Sequence, residues 1–78
     1  MKKNGQDTPA FVVCICNEGY EASLELHKIY RELPDERAGA DGDIRVVDES
    51  GEDYIYPAAS FTPIDPPAAA IESLMRAS

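Results

Sequence analysis

The sequence predicts a small, mainly β domain that ends in a short helix. The strongest strand signal is Phe11 to Cys16, where both alternating faces are apolar, as in a strand buried on both sides. The sequence pattern of Asp43 to Ile64 predicts, in order, a strand, an acidic turn, a second strand, a proline-initiated turn and a last short strand. Asp65-Pro66-Pro67 is then a helix start signal. At 78 residues, we expect a single domain.

The hairpin has the clearest local pattern. Residues 44–47 are mostly β-branched, and residues 54–56 match them on the other side of the acidic turn at residues 49–52. Gly51 supplies the positive φ that a tight hairpin loop requires. Pro57 ends the second strand because proline cannot donate to a strand ladder, and it suits the first position of a turn.

Turn signals and periodicity assign the segments before the hairpin. Met1 to Pro9 is polar, and we expect a disordered tail there. Glu21 to Tyr30 fits an amphipathic helix, but Leu24 to Leu26 and Ile29 to Leu33 also fit alternating strands, so the residues alone leave both open. Pro34 to Gly42 is rich in Pro, Asp and Gly and is predicted to be a loop.

A C-terminal helix is predicted over Ala68 to Arg76, with Asp65 as its N-cap. Ile71, Leu74 and Met75 fall on one stripe of this helix. A helix of about ten residues is marginal alone, so the stripe must dock on the β domain or on another chain. The predicted organisation is a tail over residues 1–9, a β domain over residues 10–64 and a helical segment over residues 65–78.

Charge and cysteine usage restrict the expected partners and location. The chain has 7 basic and 15 acidic residues, for a net charge of -8. The electrostatic field of such a negative chain repels phosphates and anionic head groups, so we expect neither nucleic acid nor membrane as a partner. A basic protein or peptide is the favoured partner. No apolar run approaches the roughly 20 residues of a membrane helix. Two cysteines without a signal peptide fit the reducing cytoplasm.

A series of short motifs runs through most of the chain. In order, they are Val13-Cys14-Ile15, Asn17-x-Gly19-Tyr20-Glu21-x-Ser23-Leu24, Lys28-x-Tyr30, Ile44-x-Val46-x-Asp48-x-x-Gly51-Glu52 and Tyr56-Pro57-x-x-x-Phe61. This series resembles a family of small bacterial and phage proteins of uncharacterised function, over roughly Phe11 to Ile64. The resemblance implies a Src-homology-3-like barrel of five short strands, with a single 3₁₀ turn before the last strand.

The resemblance also implies a conformation for the ambiguous segment. Ser23 to Leu26 becomes a strand and not a helix, His27-Lys28 a diverging turn, and Ile29 to Leu33 the next strand. His27 stands where such a turn usually carries a small residue, often glycine.

A contact surface follows from the same resemblance. Eukaryotic relatives of this fold bind proline-rich peptides in an aromatic groove that includes a tryptophan, and this chain has no Trp. Tyr20, Tyr56 and Pro57 are the residues that would line an equivalent groove, with Glu18 and Glu21 at its rim. Tyr54 and Tyr56 share a strand face opposite Ile55, and the sequence does not decide which face is buried.

For the other candidate sites, a purely structural role of the residues is favoured over a functional one. Cys14 and Cys16 would point the same way on a strand and, with His27, offer three soft-metal ligands, but structural zinc needs four, so small core residues are the favoured interpretation. A thiol nucleophile with His27 as its base lacks an orienting third group. Six acidic residues do not fit the EF-hand order and are expected to be solvated loop charges: Asp41, Asp43, Asp48, Glu49, Glu52 and Asp53.

The favoured function is a non-catalytic protein- or peptide-binding module that needs no metal or cofactor. Its predicted contact residues are Tyr20, Tyr56 and Pro57, rimmed by Glu18 and Glu21. The alternative is an oligomeric structural protein assembled through Ile71, Leu74 and Met75, and the expected state of the chain is a monomer or a homodimer. A third class is a metal protein centred on the two cysteines and His27.

Overall fold

Five antiparallel strands form one sheet in a computed structural model that describes residues 10–77. The strands are β1 (Ala10–Cys14), β2 (Ile29–Leu33), β3 (Asp43–Val47), β4 (Asp53–Pro57) and β5 (Phe61–Ile64). Two helices accompany them, α1 (Glu36–Ala40) and α2 (Ala68–Ala77), with a 3₁₀ turn at Ala58–Ser60. The strand order is β4-β3-β2-β1-β5, so β4 and β5 are the edges of an open sheet. The predicted tail at residues 1–9 lies outside the described residues.

β1 is buried on both of its faces, as its sequence predicts. Val12 and Cys14 belong to the main core, whereas Phe11 is buried on the opposite face. The strand ends at Cys14, however, so the predicted extension to Cys16 is wrong. The amides of Ile15 and Cys16 both donate to the carbonyl of Ser60, at 2.8 and 3.2 Å, and one shared acceptor cannot continue a ladder.

The core lies on one face of the sheet and combines aliphatic with aromatic side chains. Cross-strand pairing places Val12 opposite Tyr30 and Ile44 opposite Tyr56, so these residues share that face. The rings of Tyr30 and Tyr56 each meet Phe61 edge to face, with centroids 6.5 and 6.2 Å apart. Such offset arrangements stabilise a small core beyond its buried area.

Residues 15–28 form a loop between β1 and β2, without helix or strand. Both the helix at Glu21 to Tyr30 and the strand at Ser23 to Leu26 are therefore wrong predictions. Leu24 is only 1% exposed and belongs to the core, and its carbonyl accepts a hydrogen bond from the Asn17 side-chain amide at 2.9 Å. Leu24 thus holds the loop in place by packing against residues that are distant in sequence. The local hydrophobic pattern of the loop contains no sign of these contacts.

His27 closes this loop in a left-handed conformation, with φ 69°. Its amide donates to the carbonyl of Cys14 at 2.8 Å. His27 thus has a backbone conformation that glycine adopts without strain.

The β3–β4 hairpin confirms its prediction. The register pairs Ile44 with Tyr56 and Val47 with Asp53, and Gly51 has φ 84° at the tip. Pro57 is the last residue of β4, and the 3₁₀ turn follows it directly, as predicted.

The segment from Pro34 to Gly42 contains α1 and is not wholly a loop, which corrects the prediction. Asp35 is the N-cap, and its carboxylate accepts a hydrogen bond from the amide of Ala38 at 3.0 Å. Ala38 is buried. An aspartate cap and one buried contact suffice for a helix of little more than one turn.

α2 confirms the predicted C-terminal helix, but Asp65 is not its N-cap. The carbonyl of Pro67 accepts from Ile71 at 3.0 Å, the first i to i+4 bond, so Pro67 and not Asp65 takes the N-cap position. Leu74 shares a cavity wall with Phe11, Ile29 and Val47, which places α2 beside the sheet face opposite the main core. In the part of the chain that the structure describes, neither helix has the length and apolar character to cross a membrane.

Candidate interaction surface

The structure brings two of the predicted contact residues together. The ring of Tyr20, in the loop, meets the ring of Tyr56, in β4, at 5.1 Å between centroids and 89° between planes. Tyr20 is 38% exposed, whereas Tyr56 is 5% exposed. Tyr20 therefore presents an aromatic surface to solvent, and Tyr56 supports it from beneath.

Tyr56 is held in place by a buried carboxylate. Its hydroxyl donates to Oδ2 of Asp48 at 2.6 Å, and Oδ1 of Asp48 accepts from the amide and hydroxyl of Ser50 at 2.8 and 2.6 Å. Burial, together with the bond to Asp48, raises the pKa of Tyr56 to about 12. Burial opposes ionisation of Asp48 as well, but the bonds from Ser50 and Tyr56 outweigh it and hold the pKa of Asp48 below its ordinary value.

Asp48 thereby departs from the expectation of solvated loop charges. It is buried at the end of β3, while its neighbours Glu49 and Glu52 are exposed. Sequence alone could not single it out, because its partner Tyr56 lies across the hairpin.

The orientation of β4 resolves the question of its two tyrosines. Tyr56 faces the core and Ile55 faces outward, with 42% of its surface exposed. Tyr54 shares the face of Tyr56 but stays 49% exposed, since it lies next to the hairpin tip on an edge strand. Its hydroxyl donates to Glu52 at 3.1 Å.

The remaining predicted contact residues lie near this aromatic pair in the chain. Glu18 and Glu21 are exposed and flank Tyr20 in the loop. Pro57 is half-buried and follows Tyr56 directly, with its φ of -62° fixed by the ring. The surface formed by Tyr20, Tyr56, Pro57, Glu18 and Glu21 is called the tyrosine surface below.

A second polar cluster, which the sequence did not indicate, ties the loop to the hairpin tip. The Tyr30 hydroxyl donates to Oε2 of Glu49 and accepts from the amide of Glu25 at 2.8 Å. Lys28 also reaches Oε2 of Glu49, at 2.6 Å, and its ammonium lies 5.6 Å from the Tyr30 ring centroid. The pKa of Tyr30 is raised, mainly by burial and next by the hydrogen bond to Glu49. The pKa of Glu49 is lowered, mainly by its bond to Lys28. The cluster holds the loop end beside the hairpin.

The candidate cysteine site does not assemble. Cys14 is fully buried, while Cys16 lies beyond the strand end and is exposed, so the prediction that both thiols share a direction is wrong. The Cys14 thiol donates weakly to the carbonyl of Cys16 at 3.6 Å, and burial raises its pKa. Within residues 10–77, the structure contains no cluster of three or more His, Cys, Asp or Glu side chains that could hold a metal ion.

The helix stripe is partly covered within the single chain. Ile71, Leu74 and Met75 are all half-buried, while Glu72, Ser73 and Arg76 are exposed. Leu74 lines a cavity beside the sheet, and all three side chains keep some surface accessible.

Comparisons of the chain with models of protein families, with curated proteins and with solved structures find no match.

Proposed function

We propose that this chain is a non-catalytic binding module of the Src-homology-3-like class, and that the tyrosine surface captures a basic or neutral peptide segment. Five strands and the 3₁₀ turn before the last one, where the resemblance implies it, support the class. The observation that carries the binding role is the pair of Tyr20 and Tyr56. It combines an exposed ring with a buried ring that is itself locked by Asp48.

Preorganisation is the physical reason why this pair suits recognition. Tyrosine offers a large amphipathic contact area and only two side-chain torsions to order, so little entropy is lost when a ligand covers it. The Tyr56 hydroxyl is already satisfied, and Leu24 anchors the loop that carries Tyr20. A ligand would therefore meet a surface that is formed before binding.

The charge of the rim selects the ligand. Glu18 and Glu21 are exposed, and the chain as a whole carries a net charge of -8. Exposed rim charges act chiefly on association rate and on salt dependence. A ligand with one or two basic residues beside an apolar or polyproline segment fits this surface.

The mutational test begins with peptides selected on the purified protein from a random display library. Affinities of the selected peptides are then measured for Tyr20→Ala and for Tyr54→Ala, a matched control because Tyr54 is also an exposed tyrosine. Tyr20→Ala should weaken binding about tenfold or more, as for a central interface aromatic, and Tyr54→Ala less than about twofold. Equal losses for the two variants would contradict the proposal.

A second experiment tests the role of the rim charges with the double variant Glu18→Gln/Glu21→Gln. We expect slower association of basic peptides and a flatter dependence of affinity on salt, with Glu72→Gln in α2 as the unaffected control. Selection of predominantly acidic peptides would refute the proposed ligand class.

A second candidate function is assembly through α2. The half-buried stripe of Ile71, Leu74 and Met75 is the observation that favours it, since a second copy would cover its remaining surface. Sedimentation velocity over a micromolar concentration range tests it directly. A monomer throughout would rule this candidate out.

A further inference from the structure

The two edges of the sheet differ in whether they can accept a further strand. Within residues 10–77, β5 pairs only with β1, and β4 pairs only with β3. An edge strand presents its outward N–H and C=O groups to any extended segment, unless a proline or an internal bond removes the donors. Bonded and non-bonded pairs alternate along an antiparallel ladder, and this alternation determines which residues face outward.

In the part of the chain that the structure describes, the outward edge of β5 has no free donor. The amide of Ile15 donates to the carbonyl of Ser60 at 2.8 Å, which fixes the alternation in this ladder. Phe61 and Pro63 therefore direct their backbone groups outward. Proline has no N–H, and the amide of Phe61 already donates to the carbonyl of Ala58. This edge is protected against strand addition.

The outward edge of β4 keeps its donors. The amide of Asp48 donates to the carbonyl of Glu52 at 3.0 Å, so every second residue from Glu52 onward faces β3. Asp53 and Ile55 lie between them and direct both N–H and C=O away from the sheet. Within residues 10–77, no strand meets these groups. β4 is thus the edge that can accept an added strand.

The side chains of β4 add apolar contacts to this edge. Tyr54 is 49% exposed and Ile55 is 42% exposed, and successive residues of a strand lie on opposite faces. A neighbouring strand would therefore cover one of these side chains on each face of the sheet. Cross-strand pairs of aromatic and β-branched residues stabilise such a ladder.

The charge beside β4 selects the segment that binds there. Residues 43–57 carry five carboxylates and one arginine. Arg45 pairs with Asp53 at 2.8 Å, whereas Glu52 meets a neutral partner, the hydroxyl of Tyr54. A second copy would bring two such acidic hairpins edge to edge, where like charges repel. A segment that carries lysine or arginine is favoured instead.

We propose that β4 binds an extended, basic segment of a partner protein as a sixth strand of the sheet. Backbone bonds to Asp53 and Ile55 supply the pairing, as in other cases of strand addition. Apolar residues of the segment cover Tyr54 and Ile55, and its basic residues lie near Glu52. The site is the outward edge of β4, so the inference does not depend on peptide binding at the tyrosine surface.

Amide hydrogen exchange in ¹⁵N-labelled full-length protein tests the pairing directly. In the free protein, the amides of Asp53 and Ile55 should exchange fast and that of Tyr54 slowly. The probe is a synthetic peptide in which lysine and valine alternate, and the charge control has glutamate in place of lysine. At saturation with the lysine peptide, exchange at Asp53 and Ile55 should slow about tenfold or more. The glutamate peptide should bind more weakly.

Two variants separate backbone pairing from charge. Ile55→Pro removes an outward donor and no bond to β3, and it should weaken binding of the lysine peptide about tenfold or more. Glu52→Lys keeps every backbone group, should also weaken binding, and serves if Ile55→Pro does not fold. Glu72→Lys in α2, also an exposed glutamate, is the matched control that should leave binding unchanged.

Three results would overturn the proposal. The first is failure of the lysine peptide to bind, or equal binding of the two peptides. The second is unchanged exchange at Asp53 and Ile55 when the peptide is bound. The third is protection of these amides that grows with protein concentration without peptide, since the occupant would then be a second copy.

Discussion

The hydroxyl of Tyr56 offers the sharpest test of how this fold is held together. Tyr56→Phe removes one oxygen and leaves the ring in contact with Tyr20 and Phe61. The lost bond is 2.6 Å long, buried, and made to an ionised carboxylate, Asp48. Bonds of this kind contribute about 1.5–3 kcal/mol, so we expect the free energy of unfolding to fall by about 2 kcal/mol.

Urea denaturation followed by far-ultraviolet circular dichroism measures this loss, since the chain has no Trp to report by fluorescence. With a slope of about 1 kcal/mol/M for a domain of this size, the midpoint should move down by about 2 M. Tyr54→Phe is the matched control, because its hydroxyl bonds to Glu52 in an exposed setting. An unchanged midpoint in Tyr56→Phe, or an equal shift in the control, would show that the buried bond to Asp48 does not stabilise the fold.

The same pair predicts how stability responds to pH. The folded pKa of Asp48 lies below its ordinary value of 3.8, so its contribution is present above that pH and is lost as pH falls through the folded pKa. The folded pKa of Tyr56 is raised from 10.0 to about 12, so its contribution is present below pH 10.0 and is lost between these values. The difference between wild type and Tyr56→Phe should therefore be largest between these two limits. A difference that does not decrease at any pH below 3.8 would contradict this assignment.

Three further substitutions test separate parts of the structure by the same urea measurement. Leu24→Ala should lower the free energy of unfolding by about 2–4 kcal/mol, because it empties a core site that anchors the loop, and a loss below about 1 kcal/mol would contradict that role. His27→Gly should leave stability unchanged or raise it by up to about 1 kcal/mol, since φ is 69° there, and clear destabilisation would show that the histidine side chain matters. Arg31→Met should not destabilise the protein, because the buried Nε donor has no partner within residues 10–77 to lose, and a large loss would reveal a structural bond.

The elements that sequence predicted well are those with strong local signals. The β3–β4 hairpin follows from β-branched residues, from Gly51 at the tip and from Pro57 at the end of the strand. α2 follows from its apolar stripe and the prolines before it. In each case the residues that form the element also mark where it begins or ends.

The elements that sequence missed depend on contacts between distant residues. Leu24 determines the loop before β2 by burial in a core to which all five strands contribute, so neither helical nor strand periodicity could identify it. α1 escaped prediction because Asp35 lies in a stretch whose composition is typical of a loop, and only its bond to Ala38 shows that it is a cap.

The candidate site was predictable in its residues but not in their roles. Tyr20 and Tyr56 were both identified, yet which of them is exposed depends on the face of β4 that meets the core. The cavity beside Arg31 gave no sequence signal, since its lining combines residues of the strands, the hairpin turn and α2.

Mapping a selected peptide by NMR tests the proposed peptide binding at the tyrosine surface. In ¹⁵N-labelled protein, we expect the largest shift changes at residues 17–24 and 56–60, with little change at residues 71–76. Changes concentrated at α2 or at the cavity, with residues 17–24 unaffected, would contradict it.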